Sequence, residues 1–209
     1  MSDIKIDDAI LVNEFTEIGV RYFKSEFDKL KHSNIPIIPI FIDSYGGEVY
    51  SLMAMLDIIL CTDRPVATIA LGKAMSCGSI LLACGTPGFR FIGPNSTVMI
   101  HDLASFAFGK MEDLKADVHE CDRLNNRIYN ILDTKCGKKS GYFRKLIDKK
   151  HVDWYLNPEE SVEHGIVDKI GMPMLEHVLS FDVVTGKERK SEKKVVLPKS
   201  RSVPKKRGK

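Results

Sequence analysis

No two of the five cysteines, Cys61, Cys77, Cys84, Cys121 and Cys136, stand at the short paired spacing of a zinc site or a disulfide framework, and their number is odd. This excludes the small disulfide-stapled class and predicts reduced core thiols in a cytoplasmic, reducing compartment. Any uncharged apolar run of membrane-spanning length is also missing. The opening Met1-Ser2-Asp3-Ile4-Lys5 lacks the basic start and apolar stretch of a signal peptide. Export and membrane insertion are therefore not expected. The chain has no heptad run for a coiled coil, and no strong charge of one sign, the formal net charge being +3. That small number hides a division. Residues 187–209 hold eleven of the 31 basic residues and only two acidic ones, Glu188 and Glu192, which leaves 20 basic against 26 acidic residues in positions 1–186. The body is moderately acidic, and the basicity belongs to a tail whose composition buries too little apolar surface to fold by itself. No aromatic residue is interleaved among its lysines and arginines for base stacking, so a solvated tail is expected ahead of electrostatic binding to nucleic acid or to an acidic partner surface.

What is present suffices for one core: 209 residues, 44% of them hydrophobic. The expected division is one catalytic-sized domain over 1–186 and a basic tail over 187–209. Ala9 to Val12 reads as a short strand, and Ile18, Tyr22, Phe23, Phe27 and Leu30 recur at helical spacing within Glu14 to Leu30. Ile35 to Ile42 is almost continuously apolar, as in a strand buried on both faces, and the turn Asp43-Ser44-Tyr45-Gly46-Gly47 opens a helix from Val49 to Cys61. Val66 to Leu71 repeats the pattern, leading through Gly72-Lys73-Ala74-Met75 into a helix from Cys77 to Cys84. Two such strand-to-helix units predict an α/β sheet with right-handed crossovers. Strands follow at Phe89 to Ile92 and Thr97 to His101. A long helix from Lys110 to Lys135 carries an expected stripe of Met111, Leu114, Val118, Cys121, Ile128, Ile131 and Leu132. Tyr142 to Lys149 reads as a helix. Asn157-Pro158-Glu159-Glu160 has the cap, proline and capping-box glutamate of a helix start, which ends at Gly165 before a strand from Ile166 to Ile170.

Four places carry possible chemistry. Ser76 follows a buried strand at the mouth of a helix, where unpaired N–H groups and a partial positive charge collect, although helix-capping serines are common. His101 ends an apolar strand and is placed for general-base work; Asp153 lies in a loop flanked by Trp154 and Tyr155, which are expected to shield it. The pair Gly46-Gly47 gives a backbone able to approach a ligand and offer an N–H to an oxyanion. Ser79, one turn after Ser76, reads as a core or cap residue. Cys77, the stronger intrinsic nucleophile, is expected to face away, and His151 reads as a surface-loop histidine beside Asp153.

The segments Phe41-Ile42-Asp43-Ser44-Tyr45-Gly46-Gly47, Gly72 through Ser79, Val98-Met99-Ile100-His101, and Asp153 through Glu160 continuing to Gly165-Ile166-Val167-Asp168 together resemble the Clp protease proteolytic subunit, in that family's order, across roughly residues 36 to 171. The resemblance implies a crotonase-like spiral of βαβ units with a long protruding handle helix, here Lys110 to Lys135. It implies a serine endopeptidase with Ser76 as nucleophile, His101 as general base, Asp153 as orienting acid and the backbone N–H groups of Gly47 and Cys77 as oxyanion donors. Such chemistry requires neither metal nor organic cofactor. Stacked rings of identical subunits, a polypeptide substrate and an ATP-driven AAA+ unfoldase as separate partner are the family's associations. Here the family's Ser-Pro-Gly-Gly is Ser44-Tyr45-Gly46-Gly47, its usual methionine is Cys77, and its charged residue before the acid is Val152. The stretch before residue 35 is shorter than the family's and lacks its axial-gate segment, an expectation against tight unfoldase dependence. Two other readings accompany the peptidase: a non-proteolytic ring subunit that kept the fold, and a crotonase-type acyl-CoA enzyme, which has no need of Ser, His and Asp together.

Overall fold

The computed structural model describes residues 9–104, 108–150 and 153–173; the first eight residues, His151, Val152 and the basic segment 187–209 lie outside them. A seven-stranded sheet runs in the order β1 (Ile10–Val12), β2 (Ile38–Ser44), β3 (Val66–Met75), β4 (Arg90–Ile92) and β7 (Lys169–Ile170), all parallel. Off this path β5 (Thr97–Ile100) runs parallel to β3, and β6 (Trp154–Leu156) runs antiparallel to β5. The α/β expectation holds; the helices are α1 (Glu17–His32), α2 (Val49–Ile59), α3 (Cys77–Ala83), α4 (Met111–Lys135), α5 (Tyr142–Lys150) and α6 (Pro158–Glu163), alternating with strands except that β4 and β5, then α4 and α5, follow in succession. None of the described helices is long and apolar enough to cross a membrane.

Successive strand residues face opposite sides of the sheet. Ile38, Ile40 and Ile42 of β2 join the main core with Phe23, Phe27, Leu52, Ile80 and Leu82. Ile37, Ala67 and Ile69 form a second, smaller cluster with half-buried Phe41, Phe89 and Phe91, to which no described helix contributes an apolar side chain. One sheet face is thus left partly open.

Several boundaries differ from the sequence reading for identifiable reasons. Helix α1 begins only at Glu17, where the Thr16 hydroxyl accepts the Gly19 N–H at 3.0 Å, and its buried face is Phe23, Phe27 and Leu30, with Ile18 and Tyr22 outside. Gly72 does not end β3. It bends the strand at φ +76, and β3 changes partner across the bend: Thr68–Ala70 pair with β4 and Lys73–Met75 with β5. The buried Ser96 hydroxyl serves the bend by accepting the Gly72 N–H at 2.9 Å and donating to the Ala70 carbonyl at 3.2 Å. Residues 154–156, read as loop, are β6. Ile166 and Val167, read as strand, instead place their N–H groups on the Ser161 carbonyl, and only Lys169–Ile170 pair with β4.

The predicted stripe of α4 packs in its second half alone. Leu124, Ile128, Tyr129 and Leu132 are buried, whereas Met111 and Val118 are 66% and 61% exposed. The first half of α4 accordingly presents apolar side chains to the outside, consistent with a helix that leaves the body. The thiols divide as well: Cys77, Cys84 and Cys136 are buried, Cys121 is intermediate, and Cys61, just past the end of α2, is exposed rather than in the core. The N-terminus of α6 is as expected, with Asn157 and Glu160 forming a reciprocal capping box.

Candidate active site

Strand β3 ends at Met75 and helix α3 begins at Cys77, so Ser76 alone must turn the chain. It does so at φ 53, ψ −121, and among the described residues it is the one non-glycine with positive φ. Such a conformation costs about 1–3 kcal/mol and persists only where neighbours enforce it. The neighbours are clear. The Ser76 N–H donates to the Met99 carbonyl of β5 at 2.9 Å, and the Ser76 carbonyl accepts both the Ser79 hydroxyl at 2.7 Å and the Ser79 N–H at 3.0 Å. The Ser76 side chain makes no capping hydrogen bond to α3. Its hydroxyl is thereby released from the role a serine at a helix start ordinarily fills, while Ser79, fully buried, acts as a brace.

Opposite Ser76 lies the turn after β2. Gly46 and Gly47 have φ +109 and +148. A Cβ on Gly46 would stand 2.7 Å from Ser76 Cβ and 3.1 Å from its Oγ, and one on Gly47 would stand 2.5 Å from the Phe15 carbonyl oxygen. Both glycines are required by space as well as conformation. The bridge to Phe15 uses the Gly46 carbonyl and the Glu48 N–H, at 3.4 and 2.8 Å, and so leaves the Gly47 N–H unused. The Gly47 carbonyl accepts the Cys77 thiol at 3.2 Å, tying the two predicted oxyanion donors to each other.

The short strand β6 brings His101 and Asp153 together. Its antiparallel register pairs Val98 with Leu156, Met99 with Tyr155 and Ile100 with Trp154, so the next positions along, His101 and Asp153, face one another. His101 Nδ1 is 3.6 Å from Asp153 Oδ1. The aromatic neighbours do not shield the carboxylate as the sequence suggested. Strand alternation turns Trp154 inward, against Phe143 and His164, and leaves Asp153 52% exposed beside an exposed Tyr155. Ser76, Gly47, Cys77 and His101 line one cleft of about 460 Å³, whose apolar lining includes Ile80, Met99, Leu124 and Ile128.

A model of the Clp protease family matches residues 29–174 of this sequence. The chain belongs to the Clp protease family. Among relatives it is 35% identical over 133 residues to the ATP-dependent Clp protease proteolytic subunit 1 of Salinibacter ruber, covering 64% of this chain and 56% of that protein. It is 36% identical over 135 residues to proteolytic subunit 2 of Mycobacterium tuberculosis, covering 64% and 62% respectively. To chloroplastic proteolytic subunit 4 of Arabidopsis thaliana it is 35% identical over 133 residues, which is 44% of that protein. The chain thus spans about half the length of the curated relatives it matches.

In this Clp protease family member the position after the candidate nucleophile is a cysteine, and its thiol is buried. Burial pushes the Cys77 thiol up to about 11, against weaker opposing hydrogen bonds from Ser76 and Gly47. At pH 8 only about one thiol in a thousand is then ionised. Iodoacetamide at that pH should alkylate exposed Cys61 within minutes and leave Cys77 unmodified in the folded protein, as read by peptide mass. Early alkylation of Cys77 would contradict this burial. Sequence reasoning passed over two residues of α4 that reach the site's edge: Asn125, whose Oδ1 accepts the Leu103 N–H at 2.8 Å, and Tyr129, whose hydroxyl donates to Asp102 Oδ1 at 2.7 Å. The adjacency of Asp102 to His101 was the only signal for them.

Proposed function

We propose that this chain is a serine endopeptidase subunit that hydrolyses peptide bonds of unfolded proteins or peptides through an acyl-enzyme. Ser76 attacks the peptide carbonyl, His101 removes its proton, Asp153 orients the imidazole and steadies its charged form, and the N–H groups of Gly47 and Cys77 hold the oxyanion. The observation that carries this reading is the enforced positive φ of Ser76 at a strand-to-helix turn, with the hydroxyl freed from capping and facing the close approach of Gly46. That is the geometry of a nucleophile elbow. No step calls for a metal or organic cofactor.

The fold reading is a crotonase-like spiral in which α4 is the handle, within a peptidase domain of residues 1–186 followed by the basic tail. Assembly into stacked rings of identical subunits is supported by the outward Met111 and Val118 of α4 and by the partly open sheet face at Phe41, Phe89 and Phe91. An AAA+ unfoldase, named through the family alone, would be a separate protein. Five unpaired thiols are in keeping with a reducing, cytoplasmic setting.

One observation favours the second reading, a ring subunit without turnover: the 3.6 Å separation of His101 and Asp153 is longer than a hydrogen bond. Fluorophosphonate labelling of the full-length protein decides between them. The expected adduct is on Ser76, is absent from Ser79, and is lost in His101→Ala. If Ser76 stays unmodified while a control serine peptidase reacts, the peptidase reading is wrong and the non-proteolytic one stands.

A further inference from the structure

His101 is held on its N-terminal side by the ladder of β5, which pairs with β3 and β6. No strand continues past Ile100. What fixes the chain there is α4: the Asn125 amide oxygen takes the Leu103 N–H at 2.8 Å, and one turn later the Tyr129 hydroxyl grips Asp102 Oδ1 at 2.7 Å. Asn125 and Tyr129 are 7% and 2% exposed, buried well beyond what packing of polar atoms against an apolar core ordinarily tolerates without a partner. Each has one, and both partners belong to the two residues directly after His101. The anchoring oxygen on Asp102 is itself attended from α5. Arg144 Nη1 lies 4.0 Å away, its Nε donates to Asp148 Oδ1 at 2.9 Å, and its guanidinium sits 5.8 Å over the Tyr129 ring. That Nη1 is shielded from solvent and has no hydrogen-bond partner among the described residues, so Asp102 is the anion it is poised against.

We propose that Tyr129 is a positioning residue for the general base, holding Asp102, and through it His101, in place in the cleft that Ser76 also lines, with Asn125 as the second anchor. This rests on the Ser76–His101–Asp153 reading given above. Neither Tyr129 nor Asp102 lines the cleft. The two therefore act on the base rather than on substrate binding, and they convert the seat of α4 against the sheet into the seat of the imidazole. A direct role for the Asp102 charge on His101 is the alternative that the test must separate, since the two residues are adjacent.

The test is turnover of a fluorogenic peptide by full-length protein, with the rate of fluorophosphonate labelling at Ser76 as a second readout. Tyr129→Phe, which removes one oxygen and keeps the ring, is expected to lower kcat about tenfold with KM unchanged, and to slow labelling by the same factor. In a His101→Ala background, where labelling is already lost, it is expected to leave the residual turnover unchanged, because the residue it serves is gone. Asp102→Ala, a half-exposed position that tests the idea even if Tyr129→Phe folds poorly, should match Tyr129→Phe. Asp102→Asn, which keeps an oxygen for the tyrosine hydroxyl to reach, should recover most of the turnover lost in Asp102→Ala. An additive loss in the His101→Ala background, a change confined to KM, or an Asp102→Asn as slow as Asp102→Ala would each overturn the positioning role. A wild-type protein unlabelled at Ser76 would instead overturn the peptidase reading beneath it.

Discussion

Ser76→Ala is expected to reduce peptide cleavage by about four orders of magnitude or more while leaving the fold and its stability essentially as they are. On the proposed mechanism the loss is large because the acyl-enzyme cannot form without the hydroxyl. What remains is the background supplied by binding and the two backbone N–H groups. Stability is little changed because alanine keeps the Cβ and therefore the same strained turn, still braced by the Met99 carbonyl and by Ser79. Ser76→Gly provides the contrast. It is equally inactive, but relieving a conformation that costs about 1–3 kcal/mol outweighs the roughly 1 kcal/mol of added freedom in the unfolded chain, for a net gain on the order of 1 kcal/mol. Peptidase assays and urea denaturation of the three proteins measure both effects. Cleavage by Ser76→Ala near the wild-type rate would remove this serine from the mechanism, and a Ser76→Gly less stable than Ser76→Ala would show that the elbow stores no strain.

Asp168→Ala is expected to cost about 3 kcal/mol of stability, the largest effect away from the cleft. The Asp168 carboxylate takes four donors: the Arg90 Nη2, Nε and backbone N–H at 2.6, 3.0 and 3.0 Å, and the Gly88 N–H at 2.7 Å. Arg90 is 6% exposed, and its Nη1 goes on to the carbonyls of Lys135 and Gly165 at 3.0 and 2.8 Å. One guanidinium therefore joins β4 to the ends of α4 and α6. Removing its carboxylate leaves a buried charge without a counterion, which is worse than never having had the pair. Burial by itself raises the Asp168 carboxyl, but the Arg90 and Gly88 hydrogen bonds and the Arg90 charge outweigh it and hold the group below its ordinary value of 3.8. The stabilisation is accordingly complete above about pH 4 and is lost as pH falls through the lowered native value. Asp168→Asn should cost less than alanine and abolish that acid-side dependence. Urea midpoints for the three proteins between pH 3 and 7 test it, and equal pH profiles for wild type and Asp168→Asn would refute the linkage.

Much of this arrangement was legible before any coordinates, and the exceptions have physical causes. Ser76, His101 and the glycine pair declare themselves because each interrupts an apolar run at the end of a strand. Asp153 was found as a residue but its setting was misread. A three-residue strand such as Trp154–Leu156 has too few positions to display alternation, yet its register is what turns Asp153 to face His101. Gly72 was read as a breaker because glycine usually is one; only the change of partner from β4 to β5 and the side chain of Ser96 let the strand continue through it. The stripe on α4 was a correct period with an incorrect inference, since helical spacing tells which residues share a face and not whether anything covers it. Met111 and Val118 fall in the same stripe as Leu132 and remain outside. The anchors Asn125 and Tyr129 left almost no trace in the sequence for another reason: polar residues on a helix look solvated until the partner is known.

The bend at Gly72 gives β3 two owners. Above it, the strand leads to Ser76 and adjoins β5, which in turn pairs with β6, so all three candidate triad residues hang from one three-stranded patch. Below it, Ala67 and Ile69 belong to the partly open face with Phe41, Phe89 and Phe91. Mutational drift on that lower face need not disturb a candidate catalytic residue, and refinement of the upper patch need not disturb the lower face. One glycine thus lets the candidate site and the partly open face change on different halves of a single strand.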